Sequence, residues 1–518
     1  MNRKKLPVGI QTFREIREDD CYYVDKTAFA LRMIREGKAY FLSRPRRFGK
    51  SLFLDTLAEL FAGNEPLFRG LYCHDKWDWS IQYPVIRVSF AEGVMENRAG
   101  LDARIGNILA ENERRLGVAS GKGGIPDRFI ALIQAAEARF GQRAVILVDE
   151  YDKPILDNLT NPELASEMRD GLRNLYSVIK GQDAHIKFAL LTGVSRFSKV
   201  NIFSGLNNLS DITLDAEYSN ICGYTDADVD AVFAPELEGL DRDNIRHWYN
   251  GYNWRGEAVY NPFDLLLLFQ KREFRSFWFE TGTPTFLVDM LTERQVYLPS
   301  LLGLESTSEL LSAFEIGDIS TEALMFQSGY LTLAHEKNLD DNILFTLTYP
   351  NREVRGALTG NILGRWIGNP QKAVQSRFAL YEALKANDFT RIREIFFSLY
   401  ASIPYHWYVN NRIGEFEGYY ASVFYATFAA QGMNIIPEDV SNQGRLDMAV
   451  KFNGQVYLFE FKVVEDKAEG KAIQQIREKG YADKYQALNQ PIHLIGVEFS
   501  KEKRNVAGFA VESLEESS

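Results

Sequence analysis

The stretch Arg44–Ser51, R-P-R-R-F-G-K-S, decides how the first part of the chain is interpreted. It follows a short apolar segment, Ala39–Leu42, that predicts a strand, and it precedes a helix predicted over Leu52–Phe61. Gly-Lys-Ser between a strand and a helix is typical of a phosphate-binding P-loop, because backbone N–H groups at a helix N-terminus attract anions. The full pattern has glycine where this chain has Arg44, so a plain basic loop stays open as an alternative.

Each residue of this loop has an expected role toward a bound nucleotide. We expect Lys50 to reach the outer phosphates and the Ser51 hydroxyl to hold Mg²⁺. The residues expected to surround the phosphates are Arg46, Arg47, Phe48 and Gly49. The loop therefore predicts ATP as a ligand, together with Mg²⁺.

Length and charge set limits on the whole chain. At 518 residues the chain is too long for a single core, and we expect about three domains. Its 46% apolar and 25% charged residues are typical of soluble globular proteins. A net charge of −11 argues against a protein that coats nucleic acid or membranes non-specifically, although it permits a local basic groove.

Cysteine and apolar content indicate the compartment. The three cysteines are far apart and form no C-x-x-C pair, which fits a reducing compartment without a zinc site or disulfide framework. The six histidines are also scattered and suggest no metal cluster. We see neither a signal-peptide apolar region nor an apolar run of about 18 residues, so we expect a cytoplasmic protein with no membrane partner.

Strands and helices alternate after the P-loop candidate. The predicted strands are Pro84–Phe90, Ala144–Val148 and Ile186–Leu191, and the predicted helices cover about 97–117, 126–139 and 162–180. The last two strands are nearly continuous apolar runs, as expected when helices cover both faces of a parallel sheet. This alternation predicts an α/β fold with a mostly parallel sheet.

Polar residues directly follow two of these strands, where ligands of parallel sheets bind. Asp149 and Glu150 end the strand Ala144–Val148 in a Walker B arrangement, so Asp149 is expected to fix Mg²⁺ and Glu150 to polarise the attacking water. A merely polar strand end is the alternative. In Thr192–Arg196, Arg196 is a candidate contact for the γ-phosphate, with a structural loop as an equal alternative.

The middle of the chain carries fewer signals. Residues 216–295 are rich in aromatics and turns and predict a lid or winged-helix-like region. Its aromatic side chains would either stack on bases or, as we favour, form a core. Residues 296–410 predict a mostly helical connector with one hairpin-like piece, Asn342–Tyr349.

A hairpin is predicted near the C-terminus, at residues 444–464. Asn453-Gly454 between two alternating runs is typical of a two-residue type I′ turn, and that turn defines the pairing of the two strands. Because Phe452 then faces Gln455, Asp447 lies across from Glu460 with Cβ atoms about 4.5–5.5 Å apart. Lys462 lies on the same face as Glu460.

Two adjacent carboxylates in an apolar hairpin repel each other unless a cation or proton joins them. A divalent metal held by Asp447 and Glu460 removes this repulsion, with Mg²⁺ expected and Mn²⁺ as an alternative. Lys462 would then orient a water or stabilise a phosphate. The D-x(n)-E-x-K pattern is the core of the PD-(D/E)XK nuclease fold, and an exposed face with incidental charges is the alternative.

The flanks of the hairpin add two expectations. Glu417, at the start of a helix predicted over Glu417–Ala430, resembles the upstream acidic residue of that fold and is a further candidate metal ligand. A helix predicted over Ala472–Tyr485 carries Gln475 and Lys479, which would face a nucleic-acid backbone.

Taken together, the chain resembles bacterial AAA-ATPase-like proteins that carry a C-terminal PD-(D/E)XK nuclease domain. The N-terminal matching pieces are L-P-V-G-I-Q-T-F, Y-Y-V-D-K-T, F-L-S-R-P-R-R-F-G-K-S-L, I-L-V-D-E-Y-D-K-P, T-G-V-S-R-F-S, W-Y-N-G-Y, Y-N-P-F and E-T-G-T-P. The C-terminal pieces are G-R-L-D-M, F-E-F-K-V and Q-I-R-E-K-G-Y-A-D-K-Y. In this family the P-loop is also similar to R-P-R-R-F-G-K-S, so Arg44 is a family trait.

The resemblance implies nucleotide roles for Lys50, Ser51, Asp149 and Glu150, and nuclease roles for Asp447, Glu460 and Lys462. It also implies a setting in defence or mobile-element biology. The expected domains are an AAA-ATPase-like P-loop domain at 1–215, the lid at 216–295, the connector at 296–410, and an α/β restriction-endonuclease-like domain at 411–518.

We therefore expect an ATPase coupled to a Mg²⁺-dependent phosphodiesterase acting on DNA or RNA. An ATP-dependent switch or adaptor, whose C-terminal domain binds nucleic acid or protein without cutting, is the alternative. Assembly into a homo-oligomer stays open.

Overall fold

The computed structural model describes residues 3–121, 123–196, 208–280, 285–294, 296–312, 316, 318–340, 342–404 and 417–514. The chain forms two compact units. The first is Met1–Trp278 with Leu304–Asn351, and the second is Phe279–Gly303 with Arg352–Ser518. The predicted four-part division stays a prediction, and its boundary between residues 410 and 411 lies outside the described residues.

A parallel sheet organises the first unit. Its strands are β1 (Ala39–Ser43), β2 (Val85–Ser89), β3 (Ala144–Asp149), β4 (Ile186–Gly193) and β5 (Ser210–Asp211), in the order β2-β3-β4-β1-β5. All neighbouring pairs are parallel. Every residue of β1 and all but the last of β3 are buried, as expected for strands covered on both faces. The predicted α/β class and the four predicted strands are confirmed.

Helices surround this sheet. They are α1 (Phe13–Glu18), α2 (Thr27–Glu36), α3 (Lys50–Phe61), α4 (Arg98–Leu116), α5 (Ile125–Phe140), α6 (Lys153–Leu156) and α7 (Pro162–Gly181). α7 begins as its sequence indicates, since Asn161 caps it by accepting a hydrogen bond from the Leu164 N–H at 3.2 Å and Pro162 occupies the first turn.

The aromatic segment after the sheet folds into short helices. These are α8 (Asp226–Val232), α9 (Ala234–Leu237), α10 (Arg242–Tyr249), α11 (Pro262–Lys271) and α12 (Phe277–Glu280). Its rings, including Phe233, Tyr249, Tyr260 and Phe269, are buried in one apolar cluster. These side chains therefore form a core and do not offer a stacking surface for bases.

The segment Leu304–Asn351 belongs to the first unit. It follows α13 (Thr285–Glu293) of the second unit and contains α14 (Ser308–Ser312), α15 (Thr321–Gln327) and three strands. These strands are β6 (Glu305–Thr307), β7 (Thr332–Leu339) and β8 (Asn342–Thr348). β8 is the predicted hairpin strand and lies between β6 and β7.

The second unit is built on a mixed sheet. Its strands are β9 (Asn434–Ser441), β10 (Gly444–Phe452), β11 (Gln455–Val464), β12 (Ile492–Ser500) and β13 (Asn505–Leu514), in the order β13-β12-β11-β10-β9. The helices are α16 (Arg352–Ile367), α17 (Pro370–Lys385), α18 (Phe389–Tyr400), α19 (Glu417–Ala429) and α20 (Lys471–Glu478). In the described parts of both units, no helix is long and apolar enough to cross a bilayer.

One predicted helix is too long. The helix predicted over Ala472–Tyr485 ends at Glu478, because Gly480 adopts a left-handed conformation with φ of 56°. A 3₁₀ helix, Asp483–Leu488, follows in a new direction. This break allows both Tyr481 and Tyr485 to pack into the core of the second unit.

Candidate functional sites

The predicted P-loop connects β1 to α3. The helix begins at Lys50, two residues earlier than predicted, and no side chain caps its N-terminus. Gly49 has φ of 92° and Arg47 has φ of 71°, so the loop makes its turn with two left-handed residues. The uncapped N–H groups at the start of α3 are the donors that an anion would use.

Lys50 is buried at the centre of the loop. Its Nζ donates hydrogen bonds to the carbonyl oxygens of Arg44 and Pro45, each at 2.9 Å. Burial lowers the pKa of Lys50, and the nearby Asp149 carboxylate opposes this effect. In this conformation the amine is satisfied by the loop itself, and a phosphate would replace those carbonyls.

Arg44 occupies the position of the missing glycine and is almost completely buried, at 1% exposure. Its guanidinium donates to four carbonyl oxygens, at 2.8 Å to 3.4 Å, and its Cζ lies 4.2 Å from the centre of the Trp254 ring. The four acceptors belong to Ser43, Thr213, Tyr218 and Ser219. Burial lowers the pKa of Arg44 to about 10. Arg44 therefore fastens the start of the loop to the chain that follows β5.

The remaining loop residues differ in what they offer a nucleotide. The Arg46 side chain is exposed, and its carbonyl accepts a hydrogen bond from Trp278 Nε1 at 3.2 Å. The Arg47 guanidinium lies 4.8 Å from the centre of the Phe263 ring. The Phe48 ring is buried and packs edge-on against Tyr252 at 4.7 Å, so Phe48 would contact a nucleotide through its backbone.

Asp149 and Glu150 lie at the carboxyl end of β3, in the same sheet as the P-loop strand. Asp149 Oδ1 accepts hydrogen bonds from Thr192 Oγ1 at 2.9 Å and from the Glu150 N–H at 3.0 Å. No described residue donates a hydrogen bond to its other oxygen, which leaves that atom available to a cation. Burial, and then Asp149, raises the pKa of Glu150.

Asp152 is a residue of this site that the sequence interpretation missed. It is buried, and its Oδ2 accepts hydrogen bonds from the N–H groups of Val194 at 3.0 Å and Ser195 at 2.6 Å, and from the Ser195 hydroxyl. A Cβ on Gly193 would lie 2.5 Å from Asp152 Oδ1, so only glycine permits this approach. The signal in the sequence is the second aspartate of D-E-Y-D.

Arg196 already has an anionic partner in the first unit. Its Nε lies 2.5 Å from Asp211 Oδ2, and its N–H donates to Gln327 Oε1 at 2.7 Å. It lines a cavity with Arg44 and Pro45 at the start of the loop. A γ-phosphate role for Arg196 stays a prediction, and Phe197 and Ser198 of its motif lie outside the described residues.

The C-terminal hairpin has the predicted pairing. β10 and β11 pair from Phe452 with Gln455 through Met448 with Phe459, so the predicted register is confirmed over this range. The next position in this register brings Asp447 toward Glu460. There the regular pairing ends, and Asp447 Oδ2 accepts a hydrogen bond from the Phe461 N–H at 2.7 Å.

Glu460 is the most buried carboxylate of the hairpin, at 1% exposure. Its Oε1 accepts hydrogen bonds from Lys462 Nζ at 3.1 Å and from Gln475 Nε2. Its Oε2 is buried without a hydrogen-bond partner among the described residues. Burial, and then the neighbouring Asp447, raises the pKa of Glu460 to about 7.

Lys462 links the acidic residues of this site. Its Nζ donates to the Phe461 carbonyl at 2.9 Å and lies 3.7 Å from Glu417 Oε1, in addition to its bond with Glu460. Burial opposes protonation, but the carboxylates of Glu460 and Glu417 outweigh it and raise the pKa of Lys462. Burial also raises the pKa values of Asp447 and Glu417.

The structure thus brings together Glu417, Asp447, Glu460, Lys462 and Gln475. Lys479 lies exposed at the end of α20, one turn beyond Gln475.

The chemistry of this site fits a hard divalent cation. The donors are carboxylate oxygens, and the unpaired buried Glu460 Oε2 is the kind of atom that a cation would satisfy. Over the residues that the structure describes, no three His, Cys, Asp or Glu side chains lie close enough together to hold a metal alone. Asp447 and Glu460 would therefore need further ligands from water or a substrate phosphate, which is usual for Mg²⁺.

Glu498 on β12 is a second residue that the sequence interpretation missed. Its buried carboxylate accepts hydrogen bonds from four consecutive backbone N–H groups, at 2.5 Å to 3.3 Å. These donors are Glu469, Gly470, Lys471 and Ala472. Glu498 thereby holds the N-terminus of α20, the helix that presents Gln475 to Glu460.

Comparison with known proteins identifies a family for each of the two regions that contain these residues. Residues 7–203 match the AAA-ATPase-like family, described as predicted AAA-ATPase, and residues 415–509 match the PD-(D/E)XK nuclease superfamily. The chain is also 62% identical over 515 residues to a protein of Azotobacter chroococcum mcd 1 named "Uncharacterized protein in vnfD 5'region". That similarity covers 99% of this chain and 100% of the relative. The chain therefore belongs to the AAA-ATPase-like family and carries a C-terminal domain of the PD-(D/E)XK nuclease superfamily.

Proposed function

We propose that this protein binds and hydrolyses ATP, and that its C-terminal domain is a Mg²⁺-dependent nuclease acting on DNA or RNA. ATP binding or hydrolysis controls the access of nucleic acid to the nuclease site. The observation that carries the proposal is the group of Asp447, Glu460 and Lys462 on two adjacent inner strands of a sheet, with the buried Glu460 Oε2 unpaired among the described residues. A role in defence or mobile-element biology, which the resemblance implies, rests on this cutting activity.

In the first unit, the chain offers ATP an uncapped helix N-terminus and a lysine. The phosphates would take the place of the carbonyls of Arg44 and Pro45 as acceptors for Lys50. Ser51 and Asp149 are the groups that would hold Mg²⁺. Glu150, whose pKa is raised by burial, would accept a proton from an attacking water.

In the second unit, the residues divide the work of phosphodiester hydrolysis. Asp447 and Glu460 would hold Mg²⁺ or Mn²⁺. Glu417, whose Oε1 lies 3.7 Å from Lys462 Nζ, would be a further ligand of the same site. A bound metal would supply positive charge to the scissile phosphate and lower the pKa of water. Lys462 would position the nucleophilic water, and the Phe461 N–H keeps Asp447 oriented. Gln475 orients Glu460, and Lys479 is available to a backbone phosphate.

A cleavage assay tests this proposal. The full chain is incubated with plasmid DNA, single-stranded DNA and RNA, in Mg²⁺, Mn²⁺ or EDTA. We expect cleavage with a metal and none in EDTA, and a loss of at least about 100-fold in Asp447→Asn and in Lys462→Met. Glu465→Gln is the matched control, because Glu465 follows the same strand and its side chain is 83% exposed in an ion pair with Lys501.

Two outcomes contradict the proposal in different ways. Cleavage that persists in Asp447→Asn and Lys462→Met would place the active site elsewhere or reveal a contaminating nuclease. If the wild-type chain binds nucleic acid but cuts none of the three substrates, the alternative holds, namely an ATP-dependent switch that binds without cleaving.

A further inference from the structure

Tyr297 brings a segment from outside the matched nuclease region to the candidate nuclease site. It belongs to the second unit through Phe279–Gly303, whereas the nuclease superfamily match covers residues 415–509. Its main chain is held by α19, because the N–H of the next residue, Leu298, donates to Ser422 Oγ at 3.2 Å. Ser422 is itself 2% exposed, so this attachment is in the interior of the unit.

The Tyr297 ring lies against the first turn of α19. A Cβ built on Gly418 would be 3.4 Å from Tyr297 Cδ2, 3.8 Å from Cε2 and 3.9 Å from Cγ. These distances place the ring directly over the backbone of Gly418. Gly418 follows Glu417, the acidic residue that Lys462 contacts. The Tyr297 ring therefore packs at van der Waals distance from position 418, one residue from the acidic group that Lys462 contacts.

The charges of this site act on the Tyr297 phenol, whose ring packs beside Gly418. Burial first, and then Glu438 and Asp447, raises the pKa of Tyr297, while Arg445 opposes the effect. The phenol accordingly stays protonated at neutral pH and can donate a hydrogen bond. No described residue accepts that hydrogen bond, and the side chain is partly exposed. Arg445 is engaged by Glu438 at 3.2 Å.

We propose that Tyr297 is a substrate-positioning residue of the nuclease site, whose hydroxyl donates a hydrogen bond to a phosphate oxygen of the bound nucleic-acid strand. This inference rests on the proposed nuclease function. The site is lined by carboxylates, which repel a phosphodiester, and its central cation, Lys462, is already shared between Glu460 and Glu417. A neutral O–H donor attracts the phosphate without adding to the charge of the site.

Kinetics of Tyr297→Phe test the inference, because this change removes the hydroxyl and keeps the ring over Gly418. The full chain is assayed with fluorescein-labelled single-stranded DNA, duplex DNA and RNA oligonucleotides. We expect KM for the cleaved substrate to rise about tenfold with kcat within about twofold, the signature of lost ground-state binding. Tyr381→Phe is the matched control, since Tyr381 is 39% exposed and packs against Phe452 at the turn end of the hairpin.

Binding of the same oligonucleotides is measured in parallel by fluorescence anisotropy, together with the melting temperature of each variant. Unchanged KM and unchanged binding in Tyr297→Phe overturn the inference. A lowered melting temperature with equal losses in both tyrosine variants also overturns it, because it shows a structural role. If the wild-type chain binds but does not cut, the proposed nuclease function fails alone, and about tenfold weaker binding by Tyr297→Phe still supports the phosphate contact. A wild-type chain that binds none of the oligonucleotides overturns both.

Discussion

Arg44 holds the start of the P-loop candidate through side-chain contacts, at a position where the usual P-loop pattern has glycine. In an ordinary P-loop, glycine at this position leaves space and backbone freedom. Here a guanidinium fills the space, stacks on Trp254 and satisfies four carbonyl oxygens. Contacts of the Arg44 side chain hold the start of the loop, so its shape does not depend on a glycine at position 44.

We therefore expect Arg44→Gly to weaken the protein, although it restores the usual P-loop pattern. The change leaves buried carbonyls unpaired and a cavity beside Trp254, at a cost of about 3 kcal/mol or more in the free energy of unfolding. Thermal melting and binding of a fluorescent ATP analogue measure the effect. Arg35→Ala, at an exposed position on α2, is the control. A variant that melts with the wild type would mean that Arg44 is not a structural anchor.

Glu460 makes stability depend on pH in a defined direction. Its folded pKa is about 7, above the ordinary value of 4.5, so the folded chain holds a proton that the unfolded chain releases. Stability from this group is therefore present below pH 4.5 and is lost as pH rises to about 7 and above. The shift corresponds to at most about 3 kcal/mol.

Glu460→Gln removes this charge and keeps an oxygen that can accept from Gln475 and Lys462. In EDTA we expect the variant to melt at a higher temperature than the wild type at pH 8, and at nearly the same temperature at pH 5. Added Mg²⁺ should stabilise the wild type at pH 8 more than the variant, because the metal needs the ionised carboxylate. Calorimetry at both pH values measures this, and a wild type that is more stable than the variant in EDTA at pH 8 would contradict the assignment.

Among the elements, α20 is a short helix whose N-terminus is held by one carboxylate from another strand, Glu498. It has eight residues, too few for stability in isolation, and the carboxylate of Glu498 binds its N-terminal N–H groups. Since α20 carries Gln475, the position of this helix also determines how Glu460 is held.

Glu498→Ala should accordingly disturb the candidate nuclease site indirectly, by releasing the N-terminus of α20. We expect a loss of about 2–4 kcal/mol in stability and a reduced rate of cleavage, because four backbone N–H groups lose their acceptor. Glu469→Ala is the control, since its side chain is more exposed and pairs with Lys471 on the surface. Melting curves and cleavage rates of both variants test this prediction. Equal effects of Glu498→Ala and Glu469→Ala would argue against a specific role of Glu498 in holding α20.

For the whole molecule, the question is whether the nucleotide state alters the nuclease. Lys50→Ala should weaken binding of an ATP analogue at least tenfold, about 1.4 kcal/mol, because the lysine is the principal cation toward the outer phosphates. In the wild type, ATP should change the rate of nucleic-acid cleavage, and this response should vanish in Lys50→Ala while cleavage without ATP persists.

Comparison of cleavage rates without nucleotide, with ADP and with ATP measures this response. Lys38→Ala is a matched control in the same unit, because it removes a partly exposed lysine that pairs with Asp183. Full ATP binding by Lys50→Ala would show that the P-loop assignment is wrong. Equal cleavage rates without nucleotide, with ADP and with ATP would show that the nucleotide does not control the nuclease.

Much of the architecture was predictable because its signals are local. A strand, a turn and a helix follow one another within Ala39–Phe61, so neighbouring residues alone indicate the loop at Lys50. The same holds for the hairpin, where the Asn453-Gly454 turn defines the register that brings Asp447 to Glu460. The helix predicted beyond Glu478 is wrong, because Gly480 adopts a left-handed conformation and Tyr481 and Tyr485 then pack into the core.

The sequence alone predicts two kinds of chemistry and the candidate residues for each, Lys50 with Asp149 and Asp447 with Glu460 and Lys462. Only the tertiary structure decided how these groups are held and completed. The partners of Arg44 follow β5, Glu498 acts from another strand, and Tyr297 comes from a segment that showed no chemistry. Such contacts join residues far apart in the chain, and no periodicity or spacing encodes them, because they depend on which surfaces meet when the chain packs.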